Sequence, residues 1–110
     1  MIVARDGEDY GFPGCNWSKP AARASFAKPV AFLPAHSSPT GIAAQGSTLY
    51  VALFGGTGRG PEVVSLASSD GKSTRFLTGF AARVVAIGAS GGNVYAGDLT
   101  GSIYRVAASR

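Results

Sequence analysis

The segment IAAQGSTLYVAL (residues 42–53) returns in altered form as IGASGGNVYAGD (residues 87–98), displaced by 45 residues (87 − 42). Each copy has two short β-type runs separated by a Gly-Ser or Gly-Gly turn, which predicts a hairpin. A repeat of roughly 40–50 residues built from short strands is typical of β-propellers, whose blades each hide an apolar face against the next. The repeat therefore predicts two consecutive blades.

Length and composition limit how much of a propeller this chain can supply. The 110 residues are 45% hydrophobic and 15% charged. They suffice for one small core and fall short of a closed ring of four or more blades. Sixteen glycines and six prolines indicate many tight turns and little amphipathic helix. We expect an all-β fold, a partial β-propeller that is either a fragment or assembles with further blades.

Charge and cysteine content exclude several classes of partner. Ten basic and six acidic residues give a formal net charge of +4, but the basic residues are scattered. Nucleic-acid binding normally needs clustered Lys and Arg, so no nucleic-acid partner is predicted. Cys15 is the single cysteine and has no CxxC or Cys/His spacing, so no zinc or other metal site is predicted. No apolar run reaches the roughly 18–20 residues of a membrane span, and none is predicted.

The chain divides by pattern into an irregular part and a strand-rich part. Residues 1–28 are predicted to form an irregular loop anchored by aromatic side chains. Residues 29–110 are predicted to contain two blades, about 41–79 and 80–110, preceded by an outer strand of an earlier blade at 29–33. The expected strands are 41–45, 49–54, 62–67 and 73–77 in the first blade, and 84–88, 94–97 and 102–107 in the second, whose fourth strand is absent.

A change of spacing marks one loop as functional. The third strands of the two blades are 40 residues apart (103 − 63), so the first blade carries five extra residues (45 − 40). These fall in the glycine-rich loop around Arg59. Insertions in one repeat map to loops on one face of the fold, which is often the binding face. Arg59 is therefore the first binding candidate of the second half.

Two other side chains have residue types suited to a ligand site. His36 lies in a loop entering an inner strand, beside Ser37 and Ser38, where it either acts as a polar site residue or fixes the loop through its imidazole. Tyr10 precedes Gly11 and either stacks on a planar ligand or anchors the loop. Asp98 is expected to cap a turn. No catalytic residue is predicted, because no nucleophile elbow, triad spacing or phosphate-binding loop is present.

Five segments also follow the pattern of a known family, in chain order. They are EDYGFPGC (8–15), LPAHSSPTGI (33–42), LYVALFGG (49–56), FLTGF (76–80) and GSIYRV (101–106). Together they resemble the C-terminal blades of the soluble PQQ-dependent glucose/sorbosone dehydrogenase family.

The resemblance implies a six-bladed propeller that binds pyrroloquinoline quinone (PQQ), often with calcium, and oxidises sugars or related alcohols. Its Tyr-Gly-Trp-Pro loop lies beside the quinone, and Tyr10-Gly11-Phe12-Pro13 resembles that loop. Arg59 corresponds by position to an arginine that contacts the cofactor in some members, and His36 would shape the entrance. The resemblance also implies a periplasmic or secreted protein.

Two alternatives stay open beside the dehydrogenase hypothesis. The family's catalytic histidine and calcium-holding groups lie in earlier blades, so this chain alone is expected to be inactive and to need the remaining blades or self-association. The first alternative is a non-enzymatic propeller module that binds a glycan or a protein, since a fold hosts many functions. The second is a truncated reading frame without independent activity.

Overall fold

The computed structural model describes residues 1–11, 26–67 and 71–108. The chain forms two compact units, Met1–Phe32 and Leu33–Arg110, and every strand of the described residues lies in the second. The described residues contain no helix, which confirms the all-β fold class. Within those ranges, accordingly, no helical segment has the length and hydropathy to cross a membrane.

In the described part of the chain, seven strands form two antiparallel sheets. The strands are β1 (Pro39–Gln45), β2 (Thr48–Leu53), β3 (Glu62–Ala67), β4 (Ser73–Leu77), β5 (Val84–Ser90), β6 (Asn93–Asp98) and β7 (Ile103–Ala107). The first sheet has the order β1-β2-β3-β4 and the second β5-β6-β7. This arrangement of four and three strands is the one predicted from the repeat, and it is consistent with partial propeller blades.

The two hairpins repeat in register as well as in sequence. Tyr50 pairs with Ala43 in the first, and Tyr95 pairs with Gly88 in the second. Both partners are therefore displaced by the same 45 residues (95 − 50 and 88 − 43). A shift of register interrupts each hairpin at the same repeat position, near the start of its first strand. The two hairpins are thus equivalent pieces of backbone.

The third strands repeat with the shorter offset that the sequence predicts. Ser65 of β3 lies opposite Tyr50, and Arg105 of β7 lies opposite Tyr95, a displacement of 40 residues (105 − 65). The connection that leads into β3 is therefore five residues longer than the one that leads into β7. The difference is taken up in the connection from β2 to β3, residues 54–61, because strands cannot absorb an insertion without losing register.

The two sheets stack with unlike faces together. The shared core is formed by Tyr50, Ala52 and Val63 of the first sheet with Val84, Val94 and Ala96 of the second. Tyr95 adjoins Val94 in β6 and points to the opposite side, because successive residues of a strand alternate. The tyrosine-bearing face of the first sheet is thus covered, whereas that of the second is turned away from it. Repeated stacking of this kind is typical of successive blades, since each unit buries its face on the next.

Polar contacts tie the two sheets at their ends. The Thr40 hydroxyl, in β1, lies 3.0 Å from the Val84 carbonyl oxygen of β5. In addition, the Phe80 ring of the connection between the sheets meets the Tyr104 ring of β7 edge to face, with centroids 5.4 Å apart. The first contact joins the two sheets directly, and the second joins the connection between them to β7.

The outer strand expected at 29–33 does not form, and these residues are irregular. The backbone N–H of Val30 donates to the Met1 carbonyl oxygen at 3.0 Å, and the Met1 ammonium donates to the Ala31 carbonyl oxygen at 2.7 Å. These hydrogen bonds join the segment to the first residue of the chain, so its backbone groups are used outside any ladder.

Candidate functional site

The loop of residues 54–61, which joins β2 to β3, is held in a tight internal turn. Gly56 and Arg59 exchange two backbone hydrogen bonds, each 3.0 Å long. Gly55 has φ +89°, and a Cβ atom there would lie 2.5 Å from the Arg59 carbonyl oxygen. Only glycine fits at this point, because a side chain would meet both an unfavourable backbone conformation and a backbone atom. The loop is therefore a defined structure that fixes the start of the Arg59 side chain.

The predicted candidates His36 and Arg59 lie on loops that contact each other. Gly55 N–H donates to the Ser37 carbonyl oxygen at 2.9 Å, and Phe54 N–H donates to that of Ser38 at 3.0 Å. His36 and Ser38 both have positive φ, 55° and 47°, which is uncommon for residues other than glycine. The His36 side chain is exposed. The structure thus brings the two loops together through backbone bonds.

Arg59 makes an ion pair with a buried carboxylate. Its Nε and Nη2 atoms lie 2.7 Å and 2.5 Å from Glu62 Oε1. Arg75 of β4 donates from Nε to the second oxygen, Glu62 Oε2, at 3.0 Å. The Glu62 side chain is 3% exposed and that of Arg75 is 69% exposed. Two guanidinium groups therefore compensate one desolvated carboxylate, and Glu62 holds the Arg59 side chain by one edge.

Arg83, at the entry to β5, is a site residue that the sequence analysis missed. Its Nη1 donates to the carbonyl oxygens of Phe54 at 3.0 Å and Arg59 at 3.3 Å. Its guanidinium carbon also lies 5.4 Å from the centre of the Phe54 ring, within cation–π range. No carboxylate lies within ion-pair distance of Arg83 among the described residues. Within that part of the chain, the positive charge of Arg83 is offset by two carbonyl dipoles and the Phe54 ring.

Arg83 could have been found from the repeat itself. It stands 45 residues after Ser38 (83 − 38), and the carbonyl oxygens of both accept the equivalent backbone bond, from Leu99 and Phe54 respectively, at 3.0 Å. The backbone role is the same in both blades, whereas the side chain changes from a hydroxymethyl group to a guanidinium. The two repeats differ at this position, with serine in one and arginine in the other, and this difference marks Arg83 in the sequence.

Arg59, Arg75 and Arg83 border two clefts that share Arg59, and we call the two together the arginine groove. A cleft of about 580 Å³ is bordered by Arg59 and Arg83, with Phe80 and Leu99 among its other walls. A second cleft of about 330 Å³ is bordered by Arg59, Arg75 and Phe80. Three guanidinium groups against the single carboxylate of Glu62 leave an excess of two positive charges. Such a groove favours carboxylate or phosphate groups, because arginine presents paired donors to them.

Another cleft, of about 450 Å³, lies at the β1–β2 and β5–β6 turns, and it contains no charged side chain. It is lined by Gln45, Gly46, Ser47, Thr48, Gly91, Gly92, Asn93, Ala107 and Ala108. Its walls are mostly small residues and offer no ionisable side chain. We therefore place the candidate site at the arginine groove.

Asp98 caps its own turn, as predicted. Its Oδ1 accepts hydrogen bonds from the Thr100 hydroxyl at 2.6 Å and from the backbone N–H of Thr100 and Ser102 at 2.9 and 3.2 Å. Oδ2 accepts from the Tyr104 hydroxyl at 3.1 Å. These donors, the Thr100 hydroxyl foremost, lower the pKa of Asp98. The carboxylate is thus a stable anion within the turn.

Tyr10 lies in the first compact unit, where its hydroxyl organises the N-terminal loop. The hydroxyl lies 2.5 Å from Glu8 Oε2 and 2.6 Å from the Val3 carbonyl oxygen, and it accepts from the Arg5 N–H at 2.9 Å. Its hydrogen bond to Glu8 raises the pKa of the Tyr10 phenol. Phe12 and Pro13, which complete the Tyr-Gly-Phe-Pro segment, lie outside the described residues, as does Cys15.

Among the described residues no group of three or more His, Cys, Asp and Glu side chains is arranged to hold a metal ion. No family model matches the chain, and neither the curated proteins nor the solved structures contain a match.

Proposed function

We propose that the second unit is a pair of blades from a glucose/sorbosone dehydrogenase-like quinoprotein, and that its arginine groove holds acidic groups of the quinone cofactor. The observation that carries this proposal is the excess of positive charge beside the loop of residues 54–61. The repeated stacking of the two sheets supports the propeller architecture, and the five sequence segments support the family.

The guanidinium groups of the arginine groove can pair with the carboxylates of PQQ, but Glu62 restricts the side from which a carboxylate can approach Arg59. Glu62 occupies the Nε and Nη2 edge of Arg59, so a cofactor carboxylate would approach from the other side of that guanidinium. Arg83, which no carboxylate of the described residues contacts, would add a second positive charge beside it. Arg59 and Arg83 are therefore the residues of this unit that would hold the cofactor, with the exposed His36 at the adjoining loop.

The described residues do not fit a calcium site, since they contain no cluster of acidic ligands. In the proposed assembly, calcium and the catalytic base would lie in earlier blades, as the family resemblance implies. The bound quinone would supply the two-electron oxidation of a sugar or related alcohol. The residues of this chain would bind and orient its acidic groups, and none of them is assigned a proton-transfer role.

Titration of the chain with PQQ, followed by the absorbance of the quinone, tests the proposal. We expect saturable binding that weakens about tenfold in Arg83→Gln, because one charge-assisted contact is lost. Arg105→Gln removes the same charge from a strand outside the groove and should bind like the original chain. Circular dichroism of each variant would establish that the fold is retained.

Equal affinities for the original chain and for Arg83→Gln, or no quinone-dependent change at all, would overturn the cofactor assignment. Absence of quinone binding even when the remaining blades are supplied would favour the non-enzymatic propeller module. Sugar-dependent dye reduction is expected only when the remaining blades are supplied, since the catalytic groups lie there.

A further inference from the structure

Glu62 is buried at a position where the second blade has no carboxylate. It is the first residue of β3, where it lies opposite Leu53, and its side chain is 3% exposed. Its equivalent in the second blade is the exposed Ser102 (102 − 40). A buried ion pair is weak evidence for stability, because desolvation of the charges offsets their attraction. The effect of Glu62 on Arg59 is therefore a better explanation of its burial than closure of the blade.

Glu62 divides the donors of Arg59 into two sets. Its Oε1 atom engages Nε and Nη2, whereas Nη1 makes no hydrogen bond with the described residues. The Arg59 side chain is 27% exposed, so part of the guanidinium group remains accessible from the arginine groove. A side chain that is already held in place loses less conformational entropy when a ligand binds. Glu62 thus prepares the Nη1 side of Arg59 for a ligand.

Arg75 compensates the second oxygen of the same carboxylate. Its Nε atom lies 3.0 Å from Glu62 Oε2, so each oxygen of Glu62 has a cation of its own. The three side chains together keep one positive charge, because two guanidinium groups meet one carboxylate. An anion that approaches Arg59 therefore meets a net attraction, although a carboxylate lies beside it.

We propose that Glu62 is a positioning residue for anion binding, which holds Arg59 so that its Nη1 side meets an oxyanion. The oxyanion is a carboxylate of the cofactor or a free phosphate, since both accept paired hydrogen bonds from arginine. The inference deepens the proposed function, and the cofactor as ligand rests on it. The positioning itself concerns any oxyanion in the groove.

The direction of the effect of Glu62→Gln separates positioning from simple electrostatics. The substitution removes a negative charge beside the site, so charge alone would strengthen the binding of an anion. If Glu62 holds Arg59 in place, binding should instead weaken about fivefold, because the ligand must then order the arginine side chain itself. Titration with PQQ, followed by the absorbance of the quinone, measures this change.

Two further variants control for charge. Ser47→Lys shifts the net charge by the same amount, but it lies in the exposed β1–β2 turn, at the other end of β2 from the loop of residues 54–61. It should bind PQQ within about twofold of the original chain, since screening by salt weakens distant charges. Glu62→Asp keeps the charge and shortens the side chain, and it should weaken binding about threefold. Should Glu62→Gln fail to fold, Glu62→Asp carries the test.

The Arg59→Gln background separates positioning from a general structural role. A structural role of Glu62 would weaken binding whether or not Arg59 is present. Positioning predicts that Glu62→Gln no longer weakens binding in Arg59→Gln, where only the removal of negative charge is felt. Loss of affinity in both backgrounds, or equal or tighter binding in the single Glu62→Gln variant, would overturn the proposal.

Inorganic phosphate is a second probe, and it distinguishes this inference from the cofactor assignment. Nuclear magnetic resonance of the arginine Nε–H groups follows its binding at Arg59 and Arg83, and the same order of affinities among the variants is expected. If phosphate shows this order and PQQ does not bind, the cofactor assignment fails and the role of Glu62 stands. If neither anion binds to the original chain, the role of Glu62 is overturned as well.

Discussion

Tyr50→Phe should stabilise the protein, because the Tyr50 hydroxyl is buried without a hydrogen-bond partner among the described residues. Leaving such a group unsatisfied costs about 1–3 kcal/mol. Removing the oxygen leaves a void of about 10–15 Å³, which costs about 0.3 kcal/mol at the usual penalty per unit of cavity volume. The ring stays in contact with Phe76. We expect a net gain of about 1 kcal/mol, close to the lower end of the hydroxyl's cost.

Equilibrium urea unfolding measures this gain, and Tyr95→Phe is its matched control. Tyr95 is at the same repeat position but only half-buried on the outward face, so its change should stay within about 0.5 kcal/mol. The gain at Tyr50 corresponds to a rise in Tm of about 4 °C for a chain of this size. A loss of 1 kcal/mol or more in Tyr50→Phe, with Tyr95→Phe neutral, would show that the hydroxyl is satisfied and would refute the reasoning.

Three further changes test the loops around the arginine groove. Gly55→Ala should destabilise the fold by about 3 kcal/mol, because the new methyl group would strain the backbone and contact backbone atoms. Gly58→Ala, also at positive φ but in open space, should cost about 1 kcal/mol. The urea unfolding midpoints of the two variants test the difference. Glu62→Gln should cost about 2 kcal/mol, since it leaves Arg59 partly buried against a neutral group, whereas Arg75→Gln should cost under about 0.5 kcal/mol because that side chain is largely in water; the same unfolding curves test both. The lowered pKa of Asp98 means that its stabilisation is fully present above the unfolded-state value of about 3.8 and is lost as pH falls through the lower folded-state value. The stability difference between the original chain and Asp98→Asn should therefore shrink from pH 6 to pH 2, and a difference that grew on acidification would contradict the assignment.

The hairpins could be predicted from the sequence because their information is local. Alternating apolar residues and glycine turns set the register of each hairpin. The structure shows the same register in both copies of the repeat. The five-residue change of spacing likewise located the loop of Arg59 without any structure. These features depend on residues that are close in the chain, where patterning and turn chemistry decide the outcome.

The parts that escaped prediction depend on contacts between distant segments. The serine-to-arginine difference between the repeats marks Arg83, but no sequence pattern indicates that its side chain donates to carbonyl oxygens of the preceding blade. Likewise, no pattern indicates that Glu62 is buried between two arginines. The segment at 30–33 has strand-like composition, yet its backbone bonds go to Met1. Tertiary pairing of this kind overrides local β propensity, which is weak and dependent on context.

The connection between the second and third strands is stabilised differently in the two blades. In the second blade the turn is short, and Asp98 satisfies it internally through the Thr100 and Ser102 donors. In the first blade Leu53 occupies the position of Asp98 (98 − 45), and Glu62 that of Ser102 (102 − 40). The carboxylate has therefore moved from the start of the connection to its end.

That exchange changes what surrounds the loop. A longer connection without an internal carboxylate must find its hydrogen bonds elsewhere, and it takes them from Ser37, Ser38 and Arg83. Glu62 pairs with two arginines, whereas no carboxylate of the described residues pairs with Arg83, so positive charge is in excess beside this connection. The longer connection thus accounts for the order of the loop and for the placement of Arg59, and Arg75 and Arg83 of neighbouring segments add the remaining positive charge of the groove.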